Sequence, residues 1–209
     1  MDVLEIDLKE RIDPKSIDFY FFGGGQDVAQ VEVSNDLHKY KKEALFEAVK
    51  LKATIFSICG GYQLLGKYYK TFESSEIPGL GLLDAFTVAG DKRMIGNIMI
   101  EANSSIPEKN IVGFENHSGK TYLGKNAVAL GRVVIGNGNN GEDRTEGAMQ
   151  DNVIGCYLHG PVLAKNPKFA DYLIEKALSR KNKDFKLKKL DDSLEKATHE
   201  TAIERSRNP

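Results

Sequence analysis

The stretch ATIFSICGGYQLLGKYY, residues 53–69, constrains this chain more than any other. An apolar run ends in a cysteine, and two glycines precede the next helix-forming residues. A continuous apolar run of that length suits a strand buried on both faces, as in a parallel sheet. A buried structural cysteine would need neither glycine. A nucleophile on a sharp strand-to-helix turn uses both: Gly60 lets the backbone turn and leaves an N–H for a reacting oxygen, while Gly61 allows close helix–strand packing. Cys59 would then stand at the strand ends, where open α/β sheets place ligands. The helix N-terminus beneath it would favour the thiolate. On the tripeptide alone, a small buried cysteine is an equally good reading.

The rest of the chain supports an α/β class. VLEIDL (3–8) alternates like a short strand, and DFYFFGGG (18–25) is a core strand stopping at three glycines. Leu37, Leu45 and Val49 recur at helical spacing across 34–51, behind Ser and Asn capping candidates. GYQLLGKYY reads as a helix. Strand–helix–strand alternation predicts a mostly parallel sheet flanked by helices. Between Gly79 and Gly131, LLDAFTVAG, IGNIMIEAN and IVGFEN predict short antiparallel strands added to that sheet. GNGNNGED (136–143) is the strongest turn signal. NVIGCYLHG (152–160) is a further core strand, and NPKFADYLIEKALSRK a capped helix. There is no repeat and no linker, which predicts one domain over 1–180. Residues 181–209 form a charged tail, read as a surface helix with a frayed end.

A nucleophilic cysteine needs a base within hydrogen-bond reach, and the chain has four histidines. His38 lies in a charged helix and His199 in the polar tail. His159 ends an apolar strand and precedes Gly-Pro, on the same rim as Cys59 if the strands are parallel, so it is the better base. His117, in the glycine-flanked loop GFENHSGKT, is placed to line the pocket. A zinc site built on Cys156 and His159 is disfavoured, because strand side chains at i and i+3 point to opposite faces. Glycines 23–25 can bring backbone N–H groups close to a ligand and supply, with Gly60, an oxyanion hole. A phosphate loop is less apt, since GGGQD has no following lysine and sets an acid beside the phosphate. The net charge of −1 gives no reason to expect nucleic acid. No apolar run approaches the roughly 20 residues that span a bilayer. With two cysteines and no signal peptide, a cytoplasmic protein with free thiols is expected.

With Cys59, His159 and the glycine turn assembled, the chain resembles the class I glutamine amidotransferases, which have a flavodoxin-like fold. Within them it is most similar to the cobyric-acid-synthase-like branch, by its GGG-x-D turn, C-G-G-x-Q elbow and H-G-P strand end. ICGGYQLLG, GFENHSGKTYLG and GCYLHGPVLAKNP further resemble the glutaminase subunits of lipid II isoglutaminyl synthases. The resemblance covers nearly the whole chain. It implies Cys59 as nucleophile, His159 as base, and Gly60 with Gly24 or Gly25 as oxyanion hole. It implies that Gln63, Arg93 and the loop His117-Ser118-Gly119 hold the amino-acid end of glutamine. A guanidinium suits an α-carboxylate bidentately.

Two departures accompany the resemblance. Many class I amidotransferases carry His-x-Glu, but here the run is His159-Gly160-Pro161. Family members also begin with a strand and helix upstream of the strand matched by VLEIDL, so a sheet lacking its first βα unit is expected, with an open edge. The implied activity is hydrolysis of L-glutamine to glutamate and ammonia. The implied partner is a Mur-ligase-like synthetase subunit in a heterodimer. That partner would use ATP and Mg²⁺ to amidate D-glutamate of the lipid II stem peptide in peptidoglycan synthesis, with no cofactor or metal in this chain. A corrinoid-amidating subunit and a catalytically inactive scaffold are the alternative readings.

Overall fold

The apolar run before Cys59 is an inner strand of a mostly parallel sheet. The computed structural model describes residues 2–25 and 27–207. Strand β1 (Phe19–Phe22) leads through the glycine loop into helix α1 (Asp27–Asp36). A short π-helical segment (Leu37–Lys41) joins α1 to α2 (Lys42–Lys50). Then come β2 (Thr54–Ile58) and α3 (Gly60–Leu65). Near the far end of the chain lie β9 (Ala148–Gln150) and β10 (Val153–Cys156). These strands form one sheet of order β1-β2-β10-β9, with β1 and β10 parallel to β2 and β9 antiparallel to β10.

Both faces of this sheet are covered, which explains the unbroken apolar runs. Ile55 and Val153 point into one core with Leu45, Ala48, Leu64 and Leu65. Phe56 and Ile154 point into the other, with Leu158, Phe169 and Leu173. Phe169 and Leu173 belong to α5 (Pro167–Leu178), which follows a single turn, α4 (Val162–Lys165).

The middle of the chain forms a second sheet of order β4-β3-β5-β7-β8, in which β6 also pairs with β5. Its strands are β3 (Tyr68–Lys70), β4 (Glu76–Pro78), β5 (Ala85–Ala102), β6 (Asn110–Leu123), β7 (Gly131–Ile135) and β8 (Thr145–Glu146). The antiparallel strands expected from 79 to 131 are present, but they build this second sheet instead of extending the first, and LLDAFTVAG and IGNIMIEAN fuse into one long strand. The fusion runs through an irregular stretch: Ala89 pairs with Gly119 and Met94 with His117, so residues 90–93 bulge opposite Ser118.

Several local expectations are corrected. Residues 3–8 form no strand; Val3 is 80 % exposed. The segment is held to the helices instead, with Lys9 N–H donating to Asp36, Lys41 Nζ donating to Asp7 O at 3.1 Å, and Lys41 ion-paired with Asp36. The helix read from residue 34 begins at Asp27. Its buried positions Gln30, Ser34 and Asp36 are polar, so apolar periodicity does not mark it. Ser34 is not a cap: its hydroxyl donates to Pro78 O at 2.6 Å. The helix after Cys59 stops at Leu65, because Tyr68 and Tyr69 pair across a hairpin with Pro78 and Ile77. The helix beginning at Pro167 has no side-chain cap. The Asn166 amide is spent on both backbone groups of Val112, at 2.8 Å each. The charged tail contains α6 (Ser193–Arg207), whose His199 Nδ1 meets Lys165 O at 2.7 Å.

Candidate active site

Cys59 follows the last residue of β2 with φ 53° and ψ −112°, a left-handed conformation that a side chain adopts only under constraint. The constraint is visible. Its N–H donates to Cys156 O at 2.9 Å, and its carbonyl accepts the Gln63 N–H at 3.0 Å. The next N–H but one, on Gly61, donates to Gly23 O at 3.1 Å, tying the elbow to the glycine loop. Neither cysteine is disulfide-bonded. Cys156 is fully buried, where desolvation pushes its thiol well above the ordinary value. Cys59 is half-buried at the rim.

Gly60 and Gly61 are required by close approach. A Cβ on Gly61 would lie 2.8 Å from Gly23 O, Phe22 O and Phe22 Cβ. One on Gly60 would lie 2.7 Å from Gln30 Nε2 and 3.0 Å from the Gly25 nitrogen. At Gly24 the neighbours are the site itself: a Cβ there would sit 3.4 Å from Cys59 Cβ and 3.7 Å from His159 Cε1. Gly24, Cys59 and His159 thus share one small space. Gly60 heads α3, and the first N–H groups of a helix lack intrahelical partners.

His159 is held by reciprocal backbone bonds with Phe114, at 2.8 and 3.1 Å. Burial lowers its pKa, which favours the neutral imidazole. Its Nε2 is buried without a hydrogen-bond partner among the described residues.

Of the residues expected at the amino-acid end, His117, Gly119 and Gln63 lie together, and Arg93 lies on the surface nearby in β5. His117 is buried, and its Nδ1 lies 2.9 Å from Gly119 O. A carbonyl only accepts, so Nδ1 carries the proton. Burial, with smaller contributions from His159 and Arg93, lowers the His117 pKa to about 4. Arg93 ends the bulge of β5 and donates from Nε to Asn116 Oδ1 at 2.6 Å, on the surface. Ser118 is the single residue opposite that bulge. Gly119 abuts Gln63: a Cβ there would lie 2.6 Å from Gln63 Nε2. Gln63 is buried, with both ends of its amide already bonded, to Gln30 and to Tyr157.

Residues 2–167 match the CobB/CobQ-like glutamine amidotransferase domain. The chain belongs to that family. Among curated relatives, the lipid II isoglutaminyl synthase (glutamine-hydrolyzing) subunit GatD of Staphylococcus aureus (strain N315) is 42% identical over 206 residues, covering 99% of this chain and 82% of that protein. Its counterpart of the same name from Streptococcus pneumoniae (strain ATCC BAA-255 / R6) is 40% identical over 191 residues, covering 90% and 72%. Cobyric acid synthase of Listeria innocua is 35% identical over 149 residues, 68% of this chain but only 28% of that larger protein. Among solved structures, one described as a glutamine amidotransferase superposes with TM-score 0.58 at 19% identity, over 77% of this chain and 79% of its own. PurLQS from Thermotoga maritima superposes with TM-score 0.57 at 17% identity, over 84% and 82%. These neighbours share the fold.

Beside His117 and Gln63 lie residues that the sequence did not mark. Tyr157 is one: its ring lies on His117 at 3.6 Å between centroids, with 3° between the planes. Two residues before His159 in an extended run, it shares a parity with the base that could have drawn attention to it. Gln30 was missed because its helix was read as starting at residue 34. Two buried acids were also missed. Glu115 accepts the N–H groups of Asn137 and Gly138, at 2.8 and 2.9 Å, and so holds the turn behind His117. Glu146 accepts the Tyr157 N–H at 2.6 Å, and burial pushes its pKa to about 8.

Proposed function

We propose that this chain is the glutaminase subunit of a lipid II isoglutaminyl synthase. The observation that carries the chemistry is the convergence of Gly24, Cys59 and His159 on one small space. The specific assignment draws on the 42% identity spanning 99% of the chain. The Cys59 thiolate attacks the side-chain carboxamide carbon of L-glutamine. Backbone N–H groups of Gly60 and of Gly24 or Gly25 stabilise the oxyanion. His159, neutral when free, takes the thiol proton and returns it to the departing ammonia. A water molecule, deprotonated by the same imidazole, then cleaves the thioester, and glutamate leaves. Arg93 binds the substrate carboxylate, while Gln63, His117, Ser118 and Gly119 surround the amino-acid end.

Ammonia passes to a synthetase subunit resembling a Mur ligase, which supplies the ATP and Mg²⁺ chemistry and amidates D-glutamate of the lipid II stem peptide in the cytoplasm. No helix among the described residues is long and apolar enough to cross a membrane. A corrinoid-amidating role is favoured less, because cobyric acid synthase matches over only 28% of its own length.

The test is ammonia release from L-glutamine by the chain co-expressed with its synthetase partner, beside Cys59→Ala. Activity should fall to background in the variant, as removing the nucleophile of such a unit costs about 10⁶-fold in rate. A variant retaining more than a few per cent would overturn the mechanism.

A further inference from the structure

The amide of Gln63 is buried and could be turned either way round without changing its shape; only its partners decide which end is oxygen. On one side Gln30 Nε2 donates to Gln63 Oε1 at 2.9 Å. On the other, Gln63 Nε2 donates to the Tyr157 hydroxyl oxygen at 3.1 Å. Tyr157 lies 2.7 Å from Thr121 Oγ1, which in turn lies 2.8 Å from Thr87 Oγ1. Having accepted from Gln63, the phenol spends its own proton on Thr121. Full burial raises its pKa, so that proton stays. As the amides are placed, the bonds run in one direction, from Gln30 to Thr87, with Gln30 Oε1 buried and unpartnered among the described residues.

We propose that Gln30 and Tyr157 are positioning residues: they lock the Gln63 amide so that its oxygen faces the ammonium end of bound glutamine. The inference rests on the glutaminase reading given above. A carbonyl oxygen has two lone pairs, and Gln30 occupies one, leaving the second for an ammonium donor. Were the amide reversed, an N–H would confront the same cation. Gln30 also abuts the elbow, since its Nε2 lies 2.7 Å from where a Gly60 Cβ would be. Tyr157 carries more than Gln63. His117 is stacked on its ring, and a Gly119 Cβ would lie 3.3 Å from its hydroxyl. Three residues of the amino-acid end are thus built around one phenol.

The experiment uses Tyr157→Phe and Gln30→Met in the full chain with its synthetase partner. L-glutamine is compared with glutaramate, the same carboxamide acid without the α-amino group. Each variant should raise KM for glutamine by about tenfold, the scale of one hydrogen bond to a charged group, with kcat changed less than about twofold. KM for glutaramate should not move, so the preference for glutamine shrinks about tenfold. Alkylation of Cys59 by iodoacetamide, which has no amino-acid end, should keep its wild-type rate. An undiminished preference would overturn the proposal, whether both substrates slow together, as in a merely structural role, or neither does. A wild-type complex that hydrolyses no glutamine would instead overturn the functional reading beneath it.

Discussion

Replacing Gly24 by alanine isolates the active-site geometry from the fold. The added methyl would stand 3.4 Å from Cys59 Cβ and 3.7 Å from His159 Cε1, ordinary van der Waals distances. Gly24 is not among the residues with positive φ, so its φ does not bar alanine. The fold therefore loses nothing, and the unfolded chain loses freedom, a gain of about 0.4–1 kcal/mol. For a chain of this size that raises Tm by roughly 1–4 °C. Activity should move the other way. On the proposed mechanism, the methyl would fill the space between Cys59 and His159 that the carboxamide enters. Near-attack contact requires about 3–3.5 Å, and a displacement near 1 Å costs about 100-fold. Gly24→Ala should thus keep or raise Tm while kcat/KM for glutamine falls about 100-fold, measured by thermal unfolding and ammonia release on one preparation. Gly61→Ala is the counterpart: its methyl would meet two backbone oxygens and a Cβ at 2.8 Å, so Tm and activity fall together. A Gly24→Ala enzyme within threefold of wild type would refute the placement of the reacting carboxamide beside Gly24.

Two pH responses follow from buried groups. The His117 pKa is lowered from 6.5 to about 4, so the unfolded chain takes up this proton first. Its contribution is full above pH 6.5 and is lost as pH falls towards 4, at up to about 1.4 kcal/mol per unit. The drop in Tm between pH 7 and 5 should be shallower in His117→Gln; an equal drop would remove His117 as its source. Glu146 runs in the opposite sense, because its pKa is raised from 4.5 to about 8. The fold keeps a proton that the unfolded chain releases, so stability declines as pH rises from 4.5 to 8. Glu146→Gln should raise Tm at pH 8 and leave it nearly unchanged at pH 4.5, and a uniform shift at both would contradict this.

The sequence by itself determined the class of fold and the positions of the elbow and the strong turn. Unbroken apolar runs such as TIFSI and VIGC are needed only where both faces of a strand are covered. A cysteine followed by two glycines is a local backbone statement, readable without knowing any neighbour. The turn at 136–143 is local in the same way. Tertiary structure decided what depends on partners distant in the chain. Residues 3–8 alternate like a strand, but a strand exists only against another, and Lys41 and Asp36 hold this segment to the helices instead. The bulge at 90–93 was not legible, because it is set by the pairing of Ala89 with Gly119 and Met94 with His117. The start of α1 was hidden because its buried face is Gln30, Ser34 and Asp36, and buried polar residues carry no apolar period. The same cause hid the chain of bonds from Gln30 through Gln63 and Tyr157 to Thr87. Its members lie far apart in sequence, and their types alone do not say which hydrogen bonds burial will force them to make.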